Sequence, residues 1–157
     1  MNARKWTVQA EPERLGCAAE TRRFLLEQGI ARPLALRAEL CVAELAGNAA
    51  RHAKGGVVEV KCFTDRIEIH VVDRGPGIAD VAQALDDGVS GGKMRTPDAP
   101  QRGTVGTGTG LGAVARTADQ LELQAREGGG LHALARLNVS PRSELASTAD
   151  NKRKKAP

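Results

Sequence analysis

The stretch Ile67-Glu68-Ile69-His70-Val71-Val72-Asp73-Arg74-Gly75-Pro76-Gly77-Ile78 constrains the fold more than any other. Ile67, Ile69 and Val71 alternate with Glu68 and His70, so the segment reads as a strand with one covered and one wet face. His70 then reads as a surface residue rather than a ligand. The strand delivers Asp73 into a turn of small or rigid residues. A carboxylate at a buried strand end is costly unless it is hydrogen-bonded, and the exocyclic amine of a purine is a donor that can satisfy it. Gly75 and Gly77 let a flat ligand approach the backbone, and Pro76 fixes one dihedral between them. Taken alone, the same residues are equally an ordinary turn after a strand.

The rest of the chain supplies elements for that strand to pack against. Lys5 to Ala10 alternates as a short strand suited to a sheet edge, and Glu11-Pro12-Glu13 ends it. From Arg14, Leu15, Ala18, Ala19, Leu25 and Leu26 recur at helical spacing, with Gly29 as the stop. Pro33 opens a second helix with the apolar stripe Leu34, Ala38, Cys41, Leu45 and Ala49, ending before Gly55-Gly56. Beside that stripe stand Glu44, Asn48, Arg51 and His52, the first three on neighbouring turns of one side. Such a row is either a solvated boundary or a site, and His52 also suits the cation-favouring C-terminus of a helix. Val57 to Phe63 pairs with Ile67 to Val72 through a tight turn at Thr64-Asp65-Arg66.

Beyond Ile78 a short helix is expected over Asp80 to Leu85, and periodicity then fails from Asp86 to Thr109. Residues 88 to 108 are dense in glycine and carry Lys93, Arg95 and Arg102, so they read either as a lid that closes over phosphates or as a floppy loop kept soluble by charge. Gly106-Thr107-Gly108-Thr109-Gly110-Leu111-Gly112 then enters a helix with Leu111, Val114, Ala115, Ala118 and Leu121 on one face. Backbone N–H groups at such a helix start form an anion site. No Gly-Lys-Ser/Thr follows, which excludes a Walker loop, and a loop rather than a strand precedes, which argues against a dinucleotide fingerprint. Strands over Gln120 to Arg126 and Leu131 to Val139, joined through Gly128-Gly129-Gly130, close the chain. Residues 1–139 thus read as one domain and 140–157 as a disordered basic tail.

Composition removes several function classes. Aromatic residues make up 2% of the chain and Tyr is absent, so the core must come from Leu, Val, Ile and Ala, and stacking platforms for single-stranded nucleic acid are missing. The net charge of +4 owes much to Lys152-Arg153-Lys154-Lys155; the body is near neutral, and no nucleic-acid partner is expected. Cys17, Cys41 and Cys62 are odd in number and set in apolar segments, which suits reduced thiols and a cytoplasmic location. No apolar run has the length of a signal peptide or a bilayer span, so no membrane partner is expected either.

Three motifs now stand in order: Glu44-x-x-x-Asn48-x-x-Arg51-His52 on a helix, Asp73-x-Gly75-x-Gly77 after a strand, and the glycine run Gly106 to Gly112. This arrangement resembles the ATP-binding domain shared by gyrase, Hsp90-type chaperones, sensor histidine kinases and MutL, the GHKL or Bergerat fold, over residues 5 to 139. Within that superfamily, Glu44-Leu45-Ala46-Gly47-Asn48-Ala49-Ala50-Arg51-His52-Ala53, Asp73-Arg74-Gly75-Pro76-Gly77-Ile78 and Gly110-Leu111-Gly112-Ala113-Val114-Ala115-Arg116 are similar to the small anti-sigma-factor serine kinases and switch kinases of bacterial partner-switching pathways. Similar domains also stand beside PP2C-type phosphatase modules.

The resemblance implies an α/β two-layer sandwich with a mixed, mostly antiparallel sheet and helices on one face. It implies ATP and Mg2+ as cofactors, with Asn48 holding Mg2+, Arg51 touching phosphate and Asp73 reading the adenine amine. Gly75, Gly77, Gly106, Gly108, Gly110, Leu111 and Gly112 would line the nucleotide site. Glu44, one helical turn before Asn48 and so about 6 Å from it, would be the general base for an attacking hydroxyl. The implied activity is that of a serine/threonine protein kinase, an anti-sigma-factor or switch regulator that phosphorylates a STAS-type antagonist. A sigma factor, a PP2C-type phosphatase and a second copy of the chain are further candidate partners. Phosphoryl transfer asks mainly for positioning and charge neutralisation, which these residue types supply. The alternative is a non-catalytic nucleotide-binding module that regulates a sigma factor or phosphatase by direct contact. One departure keeps it open: the family usually carries Gly-Thr in the last hairpin, with the Thr hydroxyl near adenine, and this chain has Gly130-Leu131.

Overall fold

The computed structural model describes residues 1–77 and 110–140, together with two short strands between them. The elements run β1 (Asn2–Val8), α1 (Glu13–Glu27), α2 (Arg32–Ala53), β2 (Gly56–Cys62), β3 (Arg66–Asp73), β4 (Val89–Ser90), β5 (Lys93–Met94), α3 (Gly110–Thr117), β6 (Gln120–Ala125) and β7 (Leu131–Asn138). Five strands form one sheet in the order β1-β2-β3-β7-β6, and β4 and β5 pair separately. Every pairing is antiparallel, the limiting case of the mostly antiparallel sheet expected from the sequence. The expected short helix at 80–85 and most of the proposed lid lie outside the described residues. Within that lid the β4–β5 pair corrects the reading of an unbroken aperiodic stretch.

Strand register decides which face is covered. Trp6 stands opposite Val58, Val58 opposite Val71 and Val71 opposite Ala133, so these side chains share the inner face. The helices pack on that face, and Val58, Val60, Ile67, Ile69, Ala135 and Leu137 meet Leu25, Ala38, Val42, Leu45 and Val114 in one core. As composition required, that core is aliphatic and contains a single buried aromatic, Phe24, among the described residues. The outer face carries Glu59, Lys61, Glu68, His70, His132, Arg136 and Glu122 in the same registers.

Local chemistry explains the helix ends. Glu13 Oε2 accepts the N–H of Gln9 at 2.7 Å and so ties the first residue of α1 to the end of β1. The strand therefore stops at Val8 rather than Ala10, and it begins earlier than expected because pairing with β2 extends it back to Asn2. α1 stops where Gly29 takes a positive φ of 78°. Its buried side is Cys17, Ala18, Thr21, Phe24 and Leu25. Leu15 and Leu26, read as part of the apolar face, are exposed, because the helix is rotated to set Phe24 and Thr21 inward. α2 has Pro33 in its first turn and ends on Lys54 in the left-handed region, with the Gly55 N–H returning to Ala49 O at 3.0 Å.

α3 is shorter than its periodicity suggested. Arg37 of α2 donates Nε and Nη2 to the carbonyl of Thr117, at 3.1 and 2.7 Å, and closes the helix there. Leu111, Val114 and Ala118 are buried, whereas Ala115 is exposed and Leu121 belongs to β6. The chain's topology then returns the site-bearing ends to α2: β7 lies between β3 and β6, so the turn before β7 abuts the turn after β3.

Candidate functional site

The second half of α2 is the piece that the predicted site residues share. Gly75 has no room for a side chain, since a Cβ there would stand 2.5 Å from Ala53 Cβ and 3.1 Å from the His52 carbonyl oxygen. That contact sets the turn after β3 directly against the last turn of α2. At the other side, a Cβ on Gly110 would meet Glu44 Oε2 at 3.1 Å and Arg51 Nη2 at 4.0 Å. The first residue of α3 thus faces the Glu44 carboxylate and the Arg51 guanidinium with no side chain between them. Asn48 lies between Glu44 and Arg51 on the same helix and is half-buried.

Asp73 ends β3 and is 8% exposed. Its Oδ1 accepts the N–H of Gly75 at 2.9 Å and the N–H of Leu131 at 3.1 Å. The first bond is the local turn that an Asp two residues before a Gly favours. The second crosses to the start of β7, and no spacing rule in the sequence announces it. Gly130 makes that crossing feasible: its φ is +100°, and a Cβ there would stand 2.1 Å from the Asp73 carbonyl oxygen. Arg126 Nη1 donates to the same carbonyl at 2.6 Å. Gly77, with φ +78°, would bring a Cβ to 3.4 Å from Gly130 O, so the two turns lie side by side.

Leu131 occupies the position where the resemblance led us to expect a Thr hydroxyl. Its side chain is buried at 5% exposure, yet its backbone N–H holds Asp73, so the chain keeps a donor there while losing the hydroxyl.

Arg51 is less simply placed than its motif suggests. Nη1 donates to Glu11 Oε1 at 3.0 Å, in the turn between β1 and α1. Nε is buried and has no hydrogen-bond partner among the described residues. Arg14 crosses beside it, with Nε 3.9 Å from the same Glu11 oxygen. Glu11, Arg14 and Arg126 were not among the residues singled out from the sequence. Only Glu11 had a visible signal, as an acid in the turn that ends β1, and that signal is not specific.

His52 is exposed at the end of α2, where burial of part of the ring and the neighbouring Arg51 push its pKa below the ordinary value against the pull of Asp73. A cationic cap is therefore not its natural state. Leu111 and Gly112 are buried in the first turn of α3, while Gly106 and Gly108 lie outside the described residues. The three cysteines are buried and free. Burial pushes the Cys17 and Cys41 thiols up to about 12, which makes them packing groups rather than nucleophiles.

A hollow lined by Val72, Gln124, Ala125, Arg126, Glu127 and His132 adjoins the Asp73 turn through Arg126 and contains none of the predicted residues. Among the described residues no helix is long and apolar enough to cross a membrane. A family model, the histidine kinase-like ATPase domain, matches residues 7–135, a span that contains every residue described above as part of the site. No curated protein matches the chain.

Proposed function

Because the chain belongs to the histidine kinase-like ATPase domain family, we propose that it binds ATP at the junction of α2, α3 and the β3 turn and transfers a phosphoryl group to a serine or threonine of a partner protein. The observation that carries this reading is the side-chain-free approach at Gly110, where Glu44 and Arg51 face the start of α3. An anionic ligand fits there: a helix N-terminus offers N–H donors, and Arg51 holds a buried donor with no partner among the described residues.

The residues divide the work. Asp73 commits Oδ1 to two backbone amides, which orients the carboxylate so that Oδ2 can accept from the adenine amine. Arg51 neutralises phosphate charge, and Gly110, Leu111 and Gly112 present backbone donors. Asn48 would hold Mg2+, which when bound supplies further charge neutralisation on the phosphates. Among the described residues no group of three or more His, Cys, Asp or Glu side chains could hold a metal. Such an ion would be held by Asn48 and the nucleotide together. Glu44 takes the proton of the acceptor hydroxyl, the step that distinguishes an alcohol acceptor from an imidazole. The resemblance to anti-sigma-factor and switch kinases points to a STAS-type antagonist as the phosphorylated partner.

One observation favours a second reading. Leu131 places a buried aliphatic side chain where a hydroxyl was expected, which suits a module that binds nucleotide weakly and regulates a sigma factor or phosphatase by contact alone. Phosphate transfer separates the two. With a STAS-type partner and labelled ATP, wild-type protein should label the partner, and Glu44→Gln should bind ATP normally but transfer about 10² to 10⁴ times more slowly. Tight partner binding without any transfer by the wild type would leave the contact reading. Transfer by Glu44→Gln at the wild-type rate would remove Glu44 as the base.

A further inference from the structure

The Glu11–Arg51 pair is not part of the three motifs, and its geometry is specific. A guanidinium has two parallel donors on one edge, Nε–H and Nη2–H, and a separate end at Nη1. In Arg51 the end is taken: Nη1 donates to Glu11 Oε1 at 3.0 Å. The edge is not. Nε is buried without a partner among the described residues, and Nη2 is the atom that approaches Gly110. The pair is well shielded, with Arg51 15% and Glu11 27% exposed at the side chain, so its orientation matters more than a surface ion pair would.

Gly47 makes room for the arrangement. A Cβ there would stand 2.8 Å from Arg14 Cδ and 3.0 Å from Arg51 Nη1, so the Arg14 stem and the Arg51 guanidinium meet over a residue with no side chain. Two guanidinium groups then share the single carboxylate of Glu11. With Nη1 taken by Glu11, the Nη2 group of Arg51 is left on the side of Gly110, across from the Glu44 carboxylate.

We propose that Glu11 is a positioning residue: by holding Nη1 it turns the Nε–Nη2 edge of Arg51 toward the phosphates and keeps it there. This rests on the nucleotide reading above. A carboxylate that instead competed with phosphate for Arg51 would take the bidentate edge, and Glu11 does not. The preorganised fork matches two phosphate oxygens, a geometry that a lysine or a freely rotating arginine reproduces poorly.

The experiment is a calorimetric titration of the full chain with ATP, ADP, adenosine and inorganic tripolyphosphate. Glu11→Gln should weaken ATP and tripolyphosphate about tenfold, the loss expected when a charge-assisted contact loses its orientation, and leave adenosine unchanged. Gly47→Ala, whose Cβ would crowd the same Nη1 nitrogen that holds Glu11, should reproduce the pattern. In an Arg51→Ala background Glu11→Gln should add no more than about a twofold further loss, because its effect runs through Arg51. Equal losses for adenosine and ATP, a full effect of Glu11→Gln without Arg51, or tighter ATP binding by Glu11→Gln would each overturn the proposal. Wild-type protein that binds ATP as Glu11→Gln does would sink this inference alone. Wild-type protein that binds neither ATP nor tripolyphosphate would sink the nucleotide reading with it.

Discussion

The two faces of the sheet both carry charged clusters, and they differ in whether the charges are used up. On the outer face Glu68 accepts Arg66 Nε at 2.9 Å, lies 3.5 Å from Arg136 Nε, and faces His70 Nε2 at 3.3 Å. Arg136 also bonds Glu122 and Gln120, and His70 meets His132. Each of these groups has a polar partner on the same face. At the inner end, near α2 and α3, Arg51 keeps a buried Nε without a partner among the described residues, and Asp73 is pinned by backbone amides. Density of charge therefore does not mark a site. What marks it is a donor or acceptor held in place by the fold with bonding capacity still in hand.

The largest effect expected from that difference lies in the backbone beneath Asp73. Gly130→Ala would drive a Cβ into the Asp73 carbonyl at 2.1 Å while holding a φ of +100°, so β3 and β7 must part at the site. Strain at such a φ and overpacking each cost about 1–3 kcal/mol, and together they should lower stability by about 3 kcal/mol or more in urea denaturation. Arg136→Ala, on the outer face, should cost under about 1 kcal/mol, because its ion pairs are solvent-screened and redundant. Equal losses would erase the contrast between a tight inner end and a tolerant outer face.

Next in size is Asp73→Asn. An asparagine keeps one oxygen to receive the Gly75 and Leu131 amides, so the fold should persist. Its second atom, however, becomes a donor and opposes the adenine amine. ATP should bind about 10 to 100 times more weakly, a loss of about 1–3 kcal/mol, with the melting temperature of the free protein nearly unchanged. A variant that unfolds would show Asp73 to be structural, and one that keeps its nucleotide-induced melting shift would show that it does not read the base.

These two residues also show what was legible beforehand. Asp73, Glu44, Asn48 and Arg51 stand out as candidates in the sequence because each belongs to a local pattern: a strand alternation that ends in an acid, or steps of four and three along one helix. The fold was legible for the same reason, since period-two and helical periodicities are strong in β2, β3 and α2. The Asp73–Leu131 bond, the Arg126 contact and the Glu11–Arg51 pair were not. They join residues 58, 53 and 40 positions apart, and only strand order and helix packing bring such groups together. Apolar periodicity also misplaced the exposed Leu15, Ala19 and Leu26 of α1, because a weakly amphipathic helix can rotate to bury small or polar groups such as Thr21, whose hydroxyl donates to the Cys17 carbonyl at 2.9 Å.

The smallest expected effect concerns the outer face, where His70 lies as its alternation implies and is paired with His132. His70 Nδ1 and His132 Nε2 are 3.0 Å apart, and the ring planes differ by 19° with centres 5.3 Å apart. Those values put the two nitrogens on the line between ring centres, the arrangement of an N–H···N bond and not of face-to-face stacking. One nitrogen donates and the other accepts, so full protonation of both rings would set two N–H groups head to head. Burial, His70, Arg126 and Lys61 all push the His132 pKa below 6.5, against the pull of Glu122. For Glu68, burial works upward but hydrogen bonds from Arg66 and His70 prevail, leaving it lowered and ionised through the same range.

The sign follows from His132. Between its folded pKa and 6.5 the unfolded chain binds more protons, so stability is full above pH 6.5 and falls as pH drops through that window. Urea midpoints measured from pH 7.5 to 5.5 should decline for the wild type and decline less for His132→Gln. The slope that remains belongs partly to His52, which is lowered for its own reasons. ATP affinity at pH 7.5 should be the same in both proteins. An identical decline in the two would show that His132 is not what titrates. Weaker ATP binding by His132→Gln would show that the outer network supports the nucleotide end across the sheet, and the separation of the two faces would fail at its weakest link.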